Sequence, residues 1–425
     1  MGHPEPTEAP GTRLQRVRRP EWPNISKAKK ISITTSLLSS NIPKLCVIQA
    51  FRWFLLLMPV FVLFYEENGL GLQDIFIIQA FYSVCIILFE VPSGYFADRL
   101  GRKKSMLIGV AFAAAGFNIY AFAYTFEEFL FVQLFLAIAN SFVSGSDIAL
   151  LYDTLVQLER RDDYQKVAGK LASISNFSEG IAGLAGGALA VISLRTPLQV
   201  QAVLTLLVIP IVLSLREPDR QEADRRENSF RAILRIVRYA LHGHAEVKWL
   251  ILYSSLIGTS TLTIVWFVQP YLKVVGVPLA WFGAAWAILQ FSIGVFAINA
   301  HRIETFLGRK LSLISLVILA SAGYLLLSQF ESLWALPLLF IFYLVRGING
   351  PVLSDYINRV VSSDIRATVL SVRSLVGRVM FAILGPIVGW VNDAYSLSDA
   401  FLVCGLTFLT FGLITLHFLH RNKVL

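Results

Sequence analysis

Long apolar runs, separated by short polar breaks, make up most of the chain from residue 45 onwards. The runs are about 20 residues long, which is enough for a helix to cross a hydrocarbon core of roughly 30 Å. The predicted spans are 45–65, 73–96, 104–125, 129–151, 166–192, 197–215, 248–271, 279–300, 311–329, 333–357, 367–390 and 399–420. This pattern predicts an all-α membrane protein with twelve transmembrane helices.

The loops between these spans alternate in charge. One set, the basic loops, comprises 99–104, 160–166, 216–247, 302–310, 359–366 and the end at 421–423. The other set, the acidic loops, carries Glu66, Glu67, Glu127, Glu128, Glu331 and Asp393, with Arg195 and Lys273 as its bases. Short loops rich in Lys and Arg stay in the cytoplasm. The pattern therefore predicts that the basic loops and both termini are cytoplasmic.

Polar segments divide the sequence into four parts. Residues 1–43 are rich in Pro, Ser and Arg, which predicts a disordered cytoplasmic tail. Residues 44–215 and 248–425 each hold six predicted spans, and 216–247 is the cytoplasmic linker between them. Within the linker, 228–242 places apolar residues on one side of a helix and arginines on the other, which suits a membrane surface. A passive tether and a regulatory helix are both open for this segment.

An internal repeat indicates two similar halves. The tetrapeptide LGRK occurs at 100–103 and again at 307–310, each time after the second span of its half. The stretch 168–187 can also be laid over 367–386. Two copies of a helical unit are a common way to build a transporter with its site between them.

Composition agrees with a membrane protein and excludes several classes. Hydrophobic residues make up 56% of the chain and charged residues 15%, with a mean hydropathy of +0.64. The net charge is +9, and the basic residues lie in loops beside the spans. They therefore indicate the orientation of the chain in the membrane rather than nucleic-acid binding. The cysteines, Cys46, Cys85 and Cys404, have no disulfide or metal spacing. Without HExxH, GxxxxGKS/T or GxSxG, the sequence predicts no enzyme, no metal site, no cofactor and no ATP-driven transport.

A dense cluster of charges lies in GYFADRLGRK at 94–103, between the second and third spans. This stretch resembles the signature loop between helices 2 and 3 of the major facilitator superfamily, in which Gly is followed by Asp-Arg and then Gly-Arg-Arg or Gly-Arg-Lys. The resemblance extends over about 45–420. It implies two helical bundles around a central cavity, alternating access, and a multi-pass protein of the plasma membrane, or of the inner membrane in a bacterium.

The predicted cytoplasmic gate consists of Gly94, Asp98, Arg99, Gly101, Arg102 and Asp153. Gly94 has no side chain and lets another helix approach, and Gly101 permits a tight turn. The resemblance implies that Asp98 faces the N-terminal end of the eleventh helix. It also implies that Arg102 pairs with Asp98 and Asp153. Such contacts join the halves and favour the outward-open state, so substrate or ion binding must offset the free energy of breaking them.

Charged side chains inside the spans mark function, because a charge in a membrane is expensive. The predicted substrate-binding set is Arg52, Asp147, Glu179, Trp266, Gln269, Arg346 and Arg378. Glu179 and Arg378 occupy equivalent positions in the repeat, which predicts an ion pair across the cavity. Arginine suits bidentate contact with a carboxylate, phosphate or sulfonate, so the arginines indicate an anionic group on the substrate. A structural ion pair is the alternative for each arginine.

Three carboxyls are candidates for carrying a proton, namely Glu90, Asp147 and Glu179. Glu90 is equally suited to the cytoplasmic charge network. The sequence therefore predicts a proton-coupled secondary active transporter for a small organic anion or zwitterion, a monomer surrounded by lipids. One alternative is a multidrug/proton antiporter, although AGLAGG at 182–187 lacks the proline of the antiporter motif GPxxGG. A lipid-moving or sensor protein on the same fold is another alternative.

Overall fold

The computed structural model describes residues 37–218, 243–362 and 365–422, together with Gly2 and Arg238. The regular structure of these residues is helical. In chain order the α-helices are α1 (Asn41–Trp53), α2 (Phe61–Glu67), α3 (Leu72–Leu100), α4 (Arg102–Tyr120), α5 (Phe126–Val143), α6 (Ser146–Gln157), α7 (Tyr164–Ala190), α8 (Thr196–Leu213), α9 (Ala245–Val274), α10 (Phe282–Leu327), α11 (Leu339–Val360), α12 (Arg366–Ala394) and α13 (Leu397–Arg421).

Two predicted segments fall largely outside the described residues. Of the tail predicted at 1–43, the structure describes Gly2 and 37–43, and α1 already begins at Asn41. The amphipathic helix predicted at 228–242 lies outside the described residues apart from Arg238. Its two possible roles therefore stay open.

The described helices agree with the predicted membrane spans. Nine stretches of the described chain are helical, long and apolar enough to cross a membrane. One of them, Leu279–Leu327, contains two predicted spans, because its helix continues past the basic loop and leaves helical geometry at Gly308, with φ of 73°. The predicted spans 104–125 and 166–192 fall on α4 and α7, which are not among the nine. The count of twelve crossings and the side of both termini remain predictions.

Two of the predicted spans are broken helices. Between α1 and α2 the chain forms a 3₁₀ turn at Met58–Val60, where Pro59 has no N–H to donate. Between α5 and α6, Gly145 adopts φ of 83°, a conformation that favours glycine. The first break leaves Arg52 in the last turn of α1, and the second puts Asp147 in the first turn of α6. Both breaks thus determine where charged side chains of the candidate site lie.

The two halves share one hydrophobic core at the acidic end, the end of the bundle that carries the acidic loops. The ring centroids of Phe61 and Trp266 lie 4.9 Å apart there, and those of Phe76 and Phe267 lie 5.5 Å apart. At the opposite basic end, the described residues form separate cores, one within α1–α8 and one within α9–α13. The halves are therefore packed together at the acidic end.

Glycines bring helices of the two halves into close contact at the acidic end. A Cβ on Gly187 of α7 would lie 2.5 Å from the Cα of Gly283, at the start of α10. A Cβ on Gly389 of α12 would lie 2.7 Å from the Cα of Gln73 on α3. The small residues of AGLAGG therefore form a tight helix–helix seam, which is how small residues act in membrane helix packing.

Candidate functional site

A cavity of about 450 Å³ lies between the two halves. Most of its lining comes from α1, α3, α4, α5 and α8, whereas Leu262, Trp266 and Arg378 come from the second half. Of the predicted substrate-binding residues, Arg52, Trp266 and Arg378 line this cavity. The cavity lining does not include the other predicted members, which are Asp147, Glu179, Gln269 and Arg346.

Arg52 is held by an ion pair and a hydrogen bond at the edge of the cavity. Its Nη1 lies 2.9 Å from Oδ2 of Asp147, and its Nη2 donates to Oδ1 of Asn140 at 2.6 Å. The other carboxylate oxygen of Asp147 accepts from the backbone N–H of Ile148 at 2.7 Å. The pair links α1 to the break between α5 and α6, and the carboxylate balances the guanidinium charge.

Arg378 lies on α12 and lines the cavity from the opposite side. Among the described residues it makes no hydrogen bond and no ion pair. Tyr82 on α3 lies within electrostatic range of both Arg378 and Arg52. The cavity therefore contains one paired and one unpaired arginine.

Glu179 pairs with different residues from those expected. Gln290 on α10 donates a hydrogen bond to its carboxylate, and Arg346 on α11 lies within electrostatic range. The described residues include no ion pair between Glu179 and Arg378, so that expectation is wrong for this state. The reason is helix packing, since α7 packs against α10 whereas α12 packs against α3. Equivalent positions of the repeat thus face different neighbours.

Gln269 uses its side chain to hold the halves together. Its Oε1 accepts from the backbone N–H of Val62 at 2.7 Å, and its Nε2 donates to the carbonyl of Met58 at 2.7 Å. In this state the amide joins α9 to the connection between α1 and α2, where the 3₁₀ turn leaves backbone groups available. Its predicted contact with substrate stays a prediction.

The predicted gate has the expected local geometry within the first half. The Nη1 of Arg102 lies 2.6 Å from Oδ1 of Asp98, one helical turn away, and its Nε lies 3.9 Å from Oδ2 of Asp153. Gly101 adopts φ of 115°, as a tight turn requires. In addition, Glu217 accepts the backbone N–H of Arg102 at 2.7 Å, a contact at the start of α4 that sequence reasoning missed.

Other gate and coupling residues are exposed in this state. Gly94 has no atom within 4 Å of a Cβ placed on it, so no helix packs closely there. Arg99 donates from Nη1 to the hydroxyl of Tyr95 on the same helix at 2.8 Å. Glu90 is exposed on α3. The gate therefore lies at the end of the bundle where the halves have separate cores.

A second set of contacts, the acidic-end seal, consists of Asp393 with the start of α3 and Glu66 with Lys273. Asp393 on α12 accepts the backbone N–H groups of Leu72 at 3.0 Å and of Gln73 at 2.7 Å. Lys273 lies 2.6 Å from Glu66. Sequence reasoning recognised these charges as acidic-loop residues but missed their pairing across the halves. The signal available in the sequence was Asp393 at one end of the eleventh predicted span together with Gly71 before the second predicted span.

Comparison with known proteins agrees with this architecture. A model of the Major Facilitator Superfamily matches residues 45–385. The uncharacterized MFS-type transporter YxaM of Bacillus subtilis (strain 168) is 23% identical over 352 residues, which cover 81% of this chain and 87% of that protein.

Solved structures resemble the chain over most of its length. The nucleoside transporter NupG has a TM-score of 0.73 at 16% identity, and the match covers 90% of this chain and 99% of NupG. A D-xylose–proton symporter has a TM-score of 0.67 at 14% identity, with 90% and 97% covered. At such low identities the likeness shows the fold.

Proposed function

The chain belongs to the major facilitator superfamily, whose members are membrane transporters rather than enzymes, and we propose that it moves a small organic anion or zwitterion by alternating access. The observation that carries the proposal is the cavity between the halves, which Arg52 and Arg378 line. Arginine is suited to binding carboxylates, phosphates and sulfonates. In two-part transporters the substrate site lies between the parts. We propose that the chain works as a monomer in the plasma membrane.

The direction of opening follows from the position of the acidic-end seal. Gln269, Asp393 and Lys273 join the halves at that end, whereas at the basic end each half has its own core. With the basic loops in the cytoplasm, as the positive-inside rule predicts, this state is inward-facing. Outward opening then requires the acidic-end seal to break and the Asp98–Arg102 gate to meet the second half.

Glu179 is the carboxyl that we propose as the proton carrier. It is the candidate that contacts the other half, through Gln290, and it lies within electrostatic range of Arg346. Protonation removes its attraction to Arg346 and changes a contact between the halves, so proton binding is coupled to the opening equilibrium. Asp147, in contrast, is paired with Arg52 within one half, and Glu90 is exposed.

Transport by the purified full-length protein in liposomes tests the proposed function. An imposed pH gradient is combined with labelled organic anions, zwitterions and amphipathic cations. Accumulation of an anion or zwitterion that a protonophore abolishes is the expected result. Accumulation restricted to amphipathic cations would favour the multidrug antiporter instead. Lipid scrambling without flux of any solute would contradict the proposal and favour a lipid-moving protein.

The substitution Glu179→Gln tests the coupling residue. Its amide cannot take up a proton at ordinary pH, so we expect gradient-driven accumulation to fall to the level measured with protonophore. Exchange of labelled for unlabelled substrate, which needs no gradient, should persist. The control Glu331→Gln changes an exposed carboxyl in an acidic loop and should leave accumulation unchanged. If Glu90→Gln loses coupling and Glu179→Gln keeps it, Glu90 is the proton carrier instead of Glu179.

A further inference from the structure

We infer that the cavity takes one class of substrate, a monoanion whose acidic group is carried by a flat apolar body without a cationic group. The inference rests on the proposed transport function and narrows its substrate from anion or zwitterion to anion. Two features of the cavity carry it: its charge and its aromatic wall.

The charge of the cavity lining matches one negative charge on the substrate. Arg52 is balanced by Asp147 at 2.9 Å and donates its second nitrogen to Asn140 at 2.6 Å. Arg378 also lines the cavity, and among the described residues it has no hydrogen bond or ion pair. One guanidinium thus faces the cavity without a counter-charge, so an anionic group that enters the cavity can pair with it.

The same lining offers no carboxylate to a cationic group. None of the described residues that line the cavity is acidic, and Asp147, the nearest acid along the ion-pair network, is already paired with Arg52. An ammonium group entering the cavity would lose its hydration without gaining a carboxylate. This selects against zwitterions and amphipathic cations.

Two buried donors in the cavity wall also lack partners. The indole Nε1 of Trp266 and the amide Nε2 of Gln79 are inaccessible and make no hydrogen bond, and both residues line the cavity. An indole nitrogen can donate but not accept. Because both nitrogen atoms are inaccessible, a ligand in the cavity reaches Arg378 but not these two donors.

The rest of the wall is aromatic and apolar. The aromatic side chains in the lining are Phe51, Trp53, Phe61, Tyr82, Phe117, Tyr120 and Trp266. Aromatic rings pack against flat apolar groups in offset or edge-to-face arrangements. The volume of about 450 Å³ falls in the range of roughly 300–1,000 Å³ that is typical of small-molecule sites. A body of two fused rings therefore fits the wall in both size and chemistry.

Binding of four matched probes to the full-length protein in nanodiscs tests the inference. The probes are 2-naphthoate, its neutral analogue 2-naphthamide, the cation 2-naphthylmethylamine and the zwitterion 3-(2-naphthyl)alanine. We expect naphthoate to bind at least about tenfold more tightly than each of the others, because it alone pairs with Arg378 and leaves no cation unpaired. The dianion 2,6-naphthalenedicarboxylate should bind more weakly than naphthoate.

Substitutions in the cavity test which side chain binds the carboxylate of naphthoate. Arg378→Gln should weaken naphthoate binding on the order of 10- to 100-fold and leave naphthamide binding unchanged. Arg378→Lys keeps the charge and should restore part of the loss. Arg359→Gln serves as the control, since Arg359 is exposed and pairs with Asp355 at 2.7 Å on its own helix. Thermal unfolding of each variant checks its folding.

The outcomes separate this inference from the proposed function. Equal binding of naphthoate and naphthamide, or undetectable naphthoate binding at millimolar concentration, overturns the inference even if gradient-driven transport of another solute is observed. Tighter binding of the zwitterion than of naphthoate overturns it as well. Selective naphthoate binding that depends on Arg378 supports the inference even in a protein that accumulates nothing. If Arg378→Gln does not fold, the comparison of naphthoate with naphthamide on the parent protein decides.

Discussion

Asp393 shows how one side chain can hold a conformational state. Its two carboxylate oxygens accept the N–H groups of Leu72 and Gln73, the first residues of a helix in the other half. Those N–H groups have no partner inside their own helix, and the helix dipole adds a favourable interaction with an anion. A Cβ on Gly71 would lie 2.5 Å from Oδ2 of Asp393, so the glycine makes room for the contact.

The substitution Asp393→Asn should shift the protein towards opening at the acidic end. An amide offers one acceptor instead of two and carries no charge, so we expect the open fraction to rise by about tenfold. Distances between spin labels at Glu67 and Val274, both exposed and on opposite halves, measure the opening.

Asp399→Asn is the matched control for this change, because Asp399 accepts from Ser396 at the start of its own helix. Its distance distribution should equal that of the parent protein. An unchanged distribution in Asp393→Asn would remove Asp393 from the acidic-end seal.

At the scale of helices, the seam between α7 and α10 depends on small residues. Gly187 and Gly283 allow their backbones to approach until no side chain fits between them. Dispersion contacts of this closeness are a main source of helix association in membranes. The helix α7 thus carries a seam at one end and Glu179 in its middle, and movement of the helix changes both.

The substitution Gly187→Ala should weaken the seam. The added methyl group would lie 2.5 Å from a backbone carbon of Gly283, and such overpacking costs about 1–3 kcal/mol. We expect a lower midpoint of thermal unfolding and a larger fraction open at the acidic end. Gly169→Ala, on the same helix with no atom within 4 Å of the added carbon, should instead raise the midpoint slightly through helix propensity. Equal shifts in both variants would contradict a specific seam.

In the whole molecule, the halves share a core at one end and have separate cores at the other. The alternating access that we propose requires such an asymmetry in either end state, because the cavity then opens to one side of the membrane at a time. The Asp98–Arg102–Asp153 cluster is already assembled within its own half. We propose that this cluster contacts the second half when the basic end closes.

The substitution Arg102→Ala separates this role from substrate binding. We expect transport to slow markedly, because the closed state of the basic end loses its gate, while naphthoate affinity stays the same because Arg102 does not line the cavity. Uptake rates in liposomes and binding in nanodiscs measure the two effects. Lys104→Ala in the same loop is the control and should leave both unchanged. A loss of naphthoate binding in Arg102→Ala would contradict a role limited to gating.

The sequence by itself determined the features that depend on neighbouring residues along the chain. Apolar runs located the helices because a run of about 20 apolar residues is long enough to cross the hydrocarbon core of a membrane. The pair of Asp98 and Arg102 followed from the resemblance of the loop to the family motif, and the conformation of Gly101 followed from its place between two helices. Membership in the superfamily also rested on a local motif and agrees with the match over 45–385.

The tertiary structure alone decided which distant residues meet. It paired Glu179 with Gln290 instead of Arg378 and assigned Gln269 to the backbone of the other half. It also placed Asp393 on the N-terminus of α3, and left Arg378 without a partner in the cavity. The physical reason is that rotation and register of packed helices depend on close contact between side chains far apart in the chain, which a pattern along one helix does not specify.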